Sequence, residues 1–257
     1  MNADAPVASR IGSVPYLNAA PLTRGLESVL TFAPPSRLAE MLRRNELDAA
    51  LVSVTEVLCH DRYDILDGIA IGSLGEVFSV FLAHKRPLAD VQEVFCDPAS
   101  LTSVNLLKVL LAERGLRPAF TPLESYDQAA EKDYVLLIGN QAIEFRLAPH
   151  EHEIFDLGAA WHELTGLPFV YAVWALRRGL KNRDLRDDLR RARRRGLKCL
   201  DHIIANREEF DENFRRDYLE WHIQYYLGDD EKRGIAHFSD LLRKHHCGLV
   251  FAPRYFA

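Results

Sequence analysis

A nearly uninterrupted apolar run is the feature that most constrains the fold of this chain. Residues 47–54 read Leu-Asp-Ala-Ala-Leu-Val-Ser-Val, and only Asp48 and Ser53 are polar. A strand with one exposed face alternates polar and apolar residues, whereas a strand covered on both faces is apolar along its length. The run therefore predicts a central strand of a parallel sheet. Ser53 then lies at its carboxyl end, the edge at which open α/β sheets bind ligands.

The N-terminal region predicts another strand that ends at the same edge. Residues 10–14 form a short apolar stretch, Pro15 begins a loop, and residues 19–25 predict a helix. Tyr16 and Asn18 occupy this loop, which is a suitable place to hold a polar small molecule. The alternative is an ordinary strand, loop and helix without chemistry.

Two further strands carry polar residues. Residues 76–83 predict a strand with Ser79 among large apolar neighbours. A buried hydroxyl needs a partner, so Ser79 either bonds to the backbone or contacts a ligand. Residues 134–139 predict a strand that ends at Gly139 and Asn140.

A helix that opens near residue 97 has hydroxyls crowded into its first turn. These hydroxyls belong to Ser100, Thr102 and Ser103. Helix capping explains one of them. Free backbone N–H groups and the positive end of the helix dipole favour anions, so the turn is a candidate carboxylate or phosphate site.

The order of the segments predicts two α/β lobes with a cleft between them. The pattern restarts after residues 85–88, and the apolar run 167–176 predicts a strand that passes back to the first half. We expect residues 1–84 and 175–257 to form one lobe, which ends in a helical tail, and residues 85–174 to form the other. A ligand cleft is expected at such an interface.

Composition and charge narrow the possible functions. The chain has 257 residues, 48% of them hydrophobic and 27% charged, which is typical of soluble globular proteins. Its net charge of −5 gives no reason to expect a nucleic-acid partner. No apolar run is long enough for a membrane span, and the N-terminus lacks the features of a secretory signal, so we expect a cytoplasmic protein.

Cysteine spacing and motif content predict neither a metal nor a cofactor. The four cysteines are far apart and are expected to be reduced thiols. They are Cys59, Cys96, Cys199 and Cys247. The chain carries no phosphate-binding loop, dinucleotide fingerprint or zinc-protease motif.

Several stretches along the chain share a recognisable order. They are residues 10–18 followed by 20–22, residues 47–53, 99–104 and 137–140, and residues 156–161 followed by 165–174. Together they resemble the chorismate dehydratase family of the futalosine route to menaquinone. The resemblance implies a type II periplasmic-binding-protein fold used as an enzyme, with the substrate in the cleft. It also implies a hydro-lyase reaction, in which chorismate loses water to give 3-[(1-carboxyvinyl)oxy]benzoate.

Two other functions remain as alternatives. One is that of the sister enzyme, which makes 1,4-dihydroxy-6-naphthoate later in the same route and shares the fold. The other is a non-catalytic intracellular solute-binding protein, because this fold serves mostly for capture and release.

Two positions depart from the family pattern. Glu76 stands where the resemblance implies the proline of Gly-Pro-Val, and it adds a carboxylate near the expected cleft. Leu101 stands where family members often carry arginine, so carboxylate binding depends more on the helix terminus.

The substrate that the resemblance implies is a dianion, which N–H and hydroxyl donors can hold without a cofactor. The residues expected to bind it are Tyr16, Ser53, Ser100, Thr102, Ser103, Gly139, Asn140 and Asp156. Asn18 and Ser79 are expected to orient the substrate and polarise its departing hydroxyl, because an amide does not accept a proton at neutral pH. The substrate's own enolpyruvyl carboxylate then takes the proton. The competing hypothesis makes Glu76 the base, with Asp156 as a weaker candidate.

Overall fold

The computed structural model describes residues 9–97, 101–180 and 182–257. The strands are β1 (Ile11–Ser13), β2 (Leu30–Phe32), β3 (Ala49–Ser53), β4 (Tyr63–Ser73), β5 (Val80–His84), β6 (Glu93–Cys96), β7 (Ala119–Pro122), β8 (Tyr134–Ile138), β9 (Glu153–Asp156), β10 (Phe169–Arg177) and β11 (Tyr255–Phe256). The helices are α1 (Ala20–Thr23), α2 (Pro35–Arg43), α3 (Val54–Cys59), α4 (Leu101–Glu113), α5 (Gly139–Leu147), α6 (Leu157–Thr165), α7 (Arg183–Lys198), α8 (Leu200–Asn206), α9 (Glu212–Asp217) and α10 (Asp229–Lys244). Short 3₁₀ helices span Leu17–Ala19, Leu88–Asp90 and Tyr126–Glu131, and a π-helical turn spans Tyr218–His222. Within these ranges, no helix has the length and apolar character that crossing a membrane requires.

The first sheet has the strand order β11-β4-β10-β3-β1-β2. Strand β3 lies inside it, parallel to β1 and antiparallel to β10. Residues 49–52 of β3 are at most 1% exposed. The prediction of a buried central strand is therefore confirmed. The sheet is mixed rather than wholly parallel, because β10 enters it from the other lobe in the opposite direction.

The second sheet has the strand order β7-β6-β8-β5-β9. Strand β6 is parallel to β7 and β8, whereas β5 is antiparallel to both of its neighbours. Each sheet packs with its own helices, and buried apolar side chains continue from one lobe into the other. The result is the two-lobed α/β architecture that the sequence predicts.

The chain crosses between the sheets through residues 74–79 and through residues 157–168. The sequence predicts lobe boundaries after residues 84 and 174, whereas β5 pairs in the second sheet and β10 in the first. An apolar pattern shows that a strand is buried, but its hydrogen-bonding partners are remote in sequence. We propose that the lobes divide at the two connections.

Local geometry shifts other predicted elements. The strand expected over residues 76–83 begins only with β5, because Phe78 has a φ of +68° that interrupts extended backbone. Near its end the helical tail contributes β11, which pairs in parallel with β4. Within the expected helical tail, α9 is followed by the π-helical turn.

The C-terminal helices pack against the second connection. The Trp161 ring of α6 meets Phe169 of β10 edge-on at 5.2 Å, and Phe238 of α10 meets Phe169 at 5.0 Å. Trp161 Nε1 also donates to the carbonyl of Pro168 at 3.2 Å. These contacts fix α10 against the second connection and the start of β10, where the chain crosses between the lobes.

Candidate functional site

A cavity lies between the two lobes. Its lining includes Val14, Tyr16, Asn18, Pro35, Leu51, Val52, Ser53, Ile71, Val77, Ser79, Val80, Leu101, Thr102, Ser103, Ile138, Gly139, Tyr171, Ala172 and Ile223. We call this cavity the cleft. Of the residues predicted for the site, seven line it: Tyr16, Asn18, Ser53, Ser79, Thr102, Ser103 and Gly139. The strand ends thus converge as expected for an α/β protein.

The charge of the cleft is as informative as its shape. Among its described lining residues there is no carboxylate, imidazole, amine or guanidinium. The only acidic side chains among these described residues are the phenols of Tyr16 and Tyr171. Burial raises the pKa of Tyr16 to about 12 and the pKa of Tyr171 well above its ordinary value. The described lining is therefore neutral at neutral pH.

Direct contacts link the lobes across the cleft. The hydroxyl of Ser53, at the end of β3, bonds to the hydroxyl of Thr102 in the first turn of α4. Thr102 Oγ1 also accepts from the backbone N–H of Thr55 at 3.2 Å. These bonds hold the start of α4 against the carboxyl edge of the first sheet.

Gly139 brings the second lobe close to Tyr16. Its φ of +64° lies in the region that favours glycine, and a Cβ there would lie 3.6 Å from the Tyr16 ring. The Gly139 N–H donates to the carbonyl of Ser79 at 2.9 Å. The backbone at the start of α5 therefore helps to hold Ser79 in place.

Asn18 and Ser79 meet through a residue that sequence reasoning did not select. Asn18 Nδ2 donates to the Tyr218 hydroxyl at 3.3 Å, and that hydroxyl donates to Ser79 Oγ at 2.7 Å. Asn18 lies in the 3₁₀ turn after β1, Ser79 in the first connection, and Tyr218 in the π-helical turn. Burial raises the pKa of Tyr218 to about 12, so the phenol keeps its proton at neutral pH.

A strained turn presents Ser79. Phe78 is not a glycine, yet its φ is +68°, a conformation that persists only where surrounding contacts impose it. Asp156 supplies such contacts by accepting the N–H groups of Val77 and Phe78 at 3.1 and 2.9 Å. The Arg146 guanidinium lies 3.9 Å from the centre of the Phe78 ring. Backbone strain of this kind is often found at functional sites.

The structure places Asp156 behind this turn and outside the cleft lining. Its carboxylate caps α6 by accepting the N–H groups of Gly158 and Ala159, both at 3.0 Å, in addition to the two from the turn. Burial raises the pKa of Asp156, while these backbone bonds act in the opposite direction. A carboxylate already bound by four N–H groups is suited to holding backbone in place rather than to contacting substrate.

Glu76 and Asn140 are outside the described cleft lining. Glu76 has a side chain 41% exposed, and its carboxylate pairs with Arg146 at 2.5 Å. Its backbone carbonyl accepts from His222 Nδ1 at 3.0 Å. Asn140 is half-buried in the first turn of α5 and does not appear in the lining. Ser100 lies outside the described residues.

Sequence reasoning missed two tyrosines: Tyr171 lines the cleft, and Tyr218 is buried beside Asn18 and Ser79 outside the lining. Tyr171 comes from β10, and its hydroxyl lies 3.3 Å from Ser73 Oγ. Tyr218 comes from the tail, 200 residues after Asn18. Tyr171 lies in a stretch that resembles the family, which was a usable signal. For Tyr218, which directly follows Arg215, Arg216 and Asp217, the sequence gives no comparable signal.

Comparison with known proteins places this architecture in a family. A family model described as menaquinone biosynthesis matches residues 9–244. A chorismate dehydratase of Thermus thermophilus is 34% identical over 96% of this chain and 97% of its own length. A solved structure from Archaeoglobus fulgidus has a TM-score of 0.72 at 16% identity, covering 93% of this chain and 98% of that one.

The fold is also that of periplasmic binding proteins. The aliphatic sulphonate binding protein SsuA of Escherichia coli has a TM-score of 0.57 at 14% identity, covering 98% of this chain and 94% of that one. This likeness concerns the fold alone. Because the family model spans nearly the whole chain and the Thermus relative matches 96% of it, the chain belongs to the menaquinone biosynthesis family.

Proposed function

We propose that the protein is a chorismate dehydratase, a hydro-lyase that converts chorismate to 3-[(1-carboxyvinyl)oxy]benzoate and water. The relative from Thermus thermophilus, which carries that name, supports the assignment over nearly its whole length. The observation that carries it is the cleft, whose described lining offers hydroxyl, amide and N–H groups and no group charged at neutral pH. Membership of a biosynthetic family supports a cytoplasmic site of action.

The first task of the site is to hold a dianion. Thr102 and Ser103 lie in the first turn of α4, where backbone N–H groups are unused by the helix and the dipole is positive. Ser53 lies opposite them on β3. In this proposal the start of α4 binds one carboxylate, and lobe closure excludes water around the ring.

The second task is to align the groups that leave. The C3–H bond breaks and its electron pair forms a ring double bond as the C4–O bond breaks. The proton taken from C3 passes to the departing hydroxyl, which leaves as water, and the ring becomes aromatic. Asn18 and Ser79 hold the departing hydroxyl, so that a donor bond strengthens as negative charge develops on its oxygen.

The proton acceptor in this proposal is the enolpyruvyl carboxylate of the substrate. The described lining supplies no base. Holding the reacting groups in the right geometry can by itself lower an activation barrier substantially. Closure of the lobes brings the carboxylate to the C3 hydrogen.

Glu76→Gln distinguishes proton abstraction by the substrate's own carboxylate from proton abstraction by Glu76. The Glu76 carboxylate is paired with Arg146 outside the cleft lining, and glutamine keeps its shape. We expect kcat to stay within about threefold of the parent value, because no transition-state interaction is lost. Initial rates at saturating chorismate provide the measurement. A loss of several orders of magnitude would instead assign the base to Glu76.

The function itself is tested by incubating the purified protein with chorismate and following the products by chromatography and proton NMR. The proposal requires stoichiometric conversion to the aromatic ether. Chorismate that is bound but recovered unchanged would identify a solute-binding protein. Chorismate that is neither bound nor converted would direct attention to the naphthoate-forming alternative.

A further inference from the structure

The Tyr218 hydroxyl is a buried polar group that the proposed mechanism does not use. Tyr218 is 1% exposed and belongs to a five-residue π-helical turn, a rare geometry that is frequent at functional sites. Its ring stacks on Phe214 at 5.7 Å, and Phe214 packs against Phe78 at 5.1 Å. The C-terminal tail thus holds this hydroxyl between the two residues expected to handle the departing group.

The donors and acceptors around Tyr218 have a fixed direction. An amide nitrogen can only donate, so the Tyr218 oxygen accepts from Asn18 Nδ2. The single phenolic proton is then donated to Ser79 Oγ. Ser79 accepts in this bond, which leaves its own proton free for a ligand.

The Asn18 end of this hydrogen-bond chain is also available to a ligand. Asn18 Oδ1 is buried and has no hydrogen-bond partner among the described residues, although buried carbonyl oxygens are usually paired. Asn18 and Ser79 both line the cleft. One donor and one acceptor are therefore left for a ligand. A hydroxyl group, which accepts and donates at the same atom, is the complementary chemistry.

We propose that Tyr218 is a positioning residue that sets the direction of this hydrogen-bond chain, so that Ser79 donates to the departing hydroxyl and Asn18 Oδ1 accepts from it. The inference rests on the proposed function and extends it to the C-terminal tail. Without the phenol, no donor fixes the orientation of the Ser79 hydroxyl, and its proton is free to turn away from the departing hydroxyl. The departing hydroxyl then loses its donor, although the carboxylate contacts remain.

Tyr218→Phe tests the proposal because it removes the hydroxyl and keeps the ring. We expect kcat to fall about 10- to 100-fold, within the range for a lost buried hydrogen bond. KM should rise only about threefold, because the carboxylates supply most of the binding. The product lacks the hydroxyl, so its inhibition constant should stay within about twofold of the parent value.

Tyr225→Phe is the matched control. Tyr225 is buried like Tyr218, but its hydroxyl has no hydrogen-bond partner in the described part of the chain. Its removal should leave kcat and KM unchanged. Circular dichroism and thermal melting of both variants report whether the fold is retained.

A double-mutant cycle with Ser79→Ala distinguishes positioning from a structural role. If Tyr218 acts through Ser79, adding Tyr218→Phe to Ser79→Ala should lower kcat by less than about threefold, because coupled residues are not additive. The same factor in both backgrounds, or a parent-like kcat for Tyr218→Phe, would overturn the proposal.

If the parent protein binds chorismate without converting it, the proposed function is contradicted. The role of Tyr218 can still be tested. In that case calorimetric titration with chorismate and with the aromatic ether supplies the readout. We expect Tyr218→Phe to lower the affinity for chorismate relative to the ether by about threefold, because only chorismate carries the hydroxyl. An unchanged ratio would reject the role of Tyr218.

Discussion

Asn18→Ala is expected to lower kcat for chorismate by about 10²- to 10³-fold while the protein remains folded, a loss typical of removing one preorganised polar group from an active site. Asn18 Nδ2 bonds to Tyr218, and its Oδ1 is buried without a partner among the described residues. Alanine removes both the link to Tyr218 and the acceptor for the departing hydroxyl. Steady-state rates and thermal melting of the variant measure the two parts of the prediction.

Asn206→Ala is a suitable control for this variant. The Asn206 amide is exposed at the end of α8 and donates to the carbonyl of His202 at 2.8 Å, outside the cleft lining. We expect parent-like turnover from it. A parent-like kcat in Asn18→Ala would remove Asn18 from the mechanism.

Asp156→Ala is expected to lower the free energy of unfolding by about 2–4 kcal/mol and kcat by about tenfold or more. Four backbone N–H groups lose their acceptor, and two of them belong to the turn that carries Ser79. Relief from burying the carboxylate offsets part of the loss. Without the acceptor, the positive φ of Phe78 is free to relax and Ser79 moves from its place.

Asn182→Ala is the control that distinguishes a helix-capping role of Asp156 from a role in positioning Ser79. Asn182 caps α7 by accepting the N–H of Leu185 at 3.0 Å, far along the chain from the turn. Its loss should cost about 1 kcal/mol and leave kcat unchanged. Urea denaturation and saturating rates compare the two variants. If Asp156→Ala behaved like Asn182→Ala in both, Asp156 would be an ordinary cap.

Much of the site was accessible from the sequence because strand ends converge. The end of a buried strand can be recognised from its apolar run, and parallel strands bring their carboxyl ends to one edge of the sheet. Asn18 and Ser53 were predicted for the cleft in this way. Thr102 and Ser103 followed from the hydroxyls that crowd the start of a helix.

The rest depended on features that a local pattern does not contain. Glu76 is three residues from Ser79, yet the positive φ of Phe78 separates the two, and no pattern in the sequence indicates that dihedral angle. The environment of Asp156 depends on backbone from a connection 78 residues earlier in the chain. Tyr218 reaches Asn18 only through the packing of the whole tail.

The central claim is that a neutral cleft dehydrates a substrate that supplies its own base. Its most direct test uses a chorismate analogue in which the enolpyruvyl carboxylate is replaced by a neutral carboxamide of nearly the same shape. At saturating concentration we expect the analogue to compete with chorismate for the cleft and to show less than about a thousandth of its kcat, because the proton acceptor is missing. Turnover of the analogue at a rate comparable to that of chorismate would contradict the account.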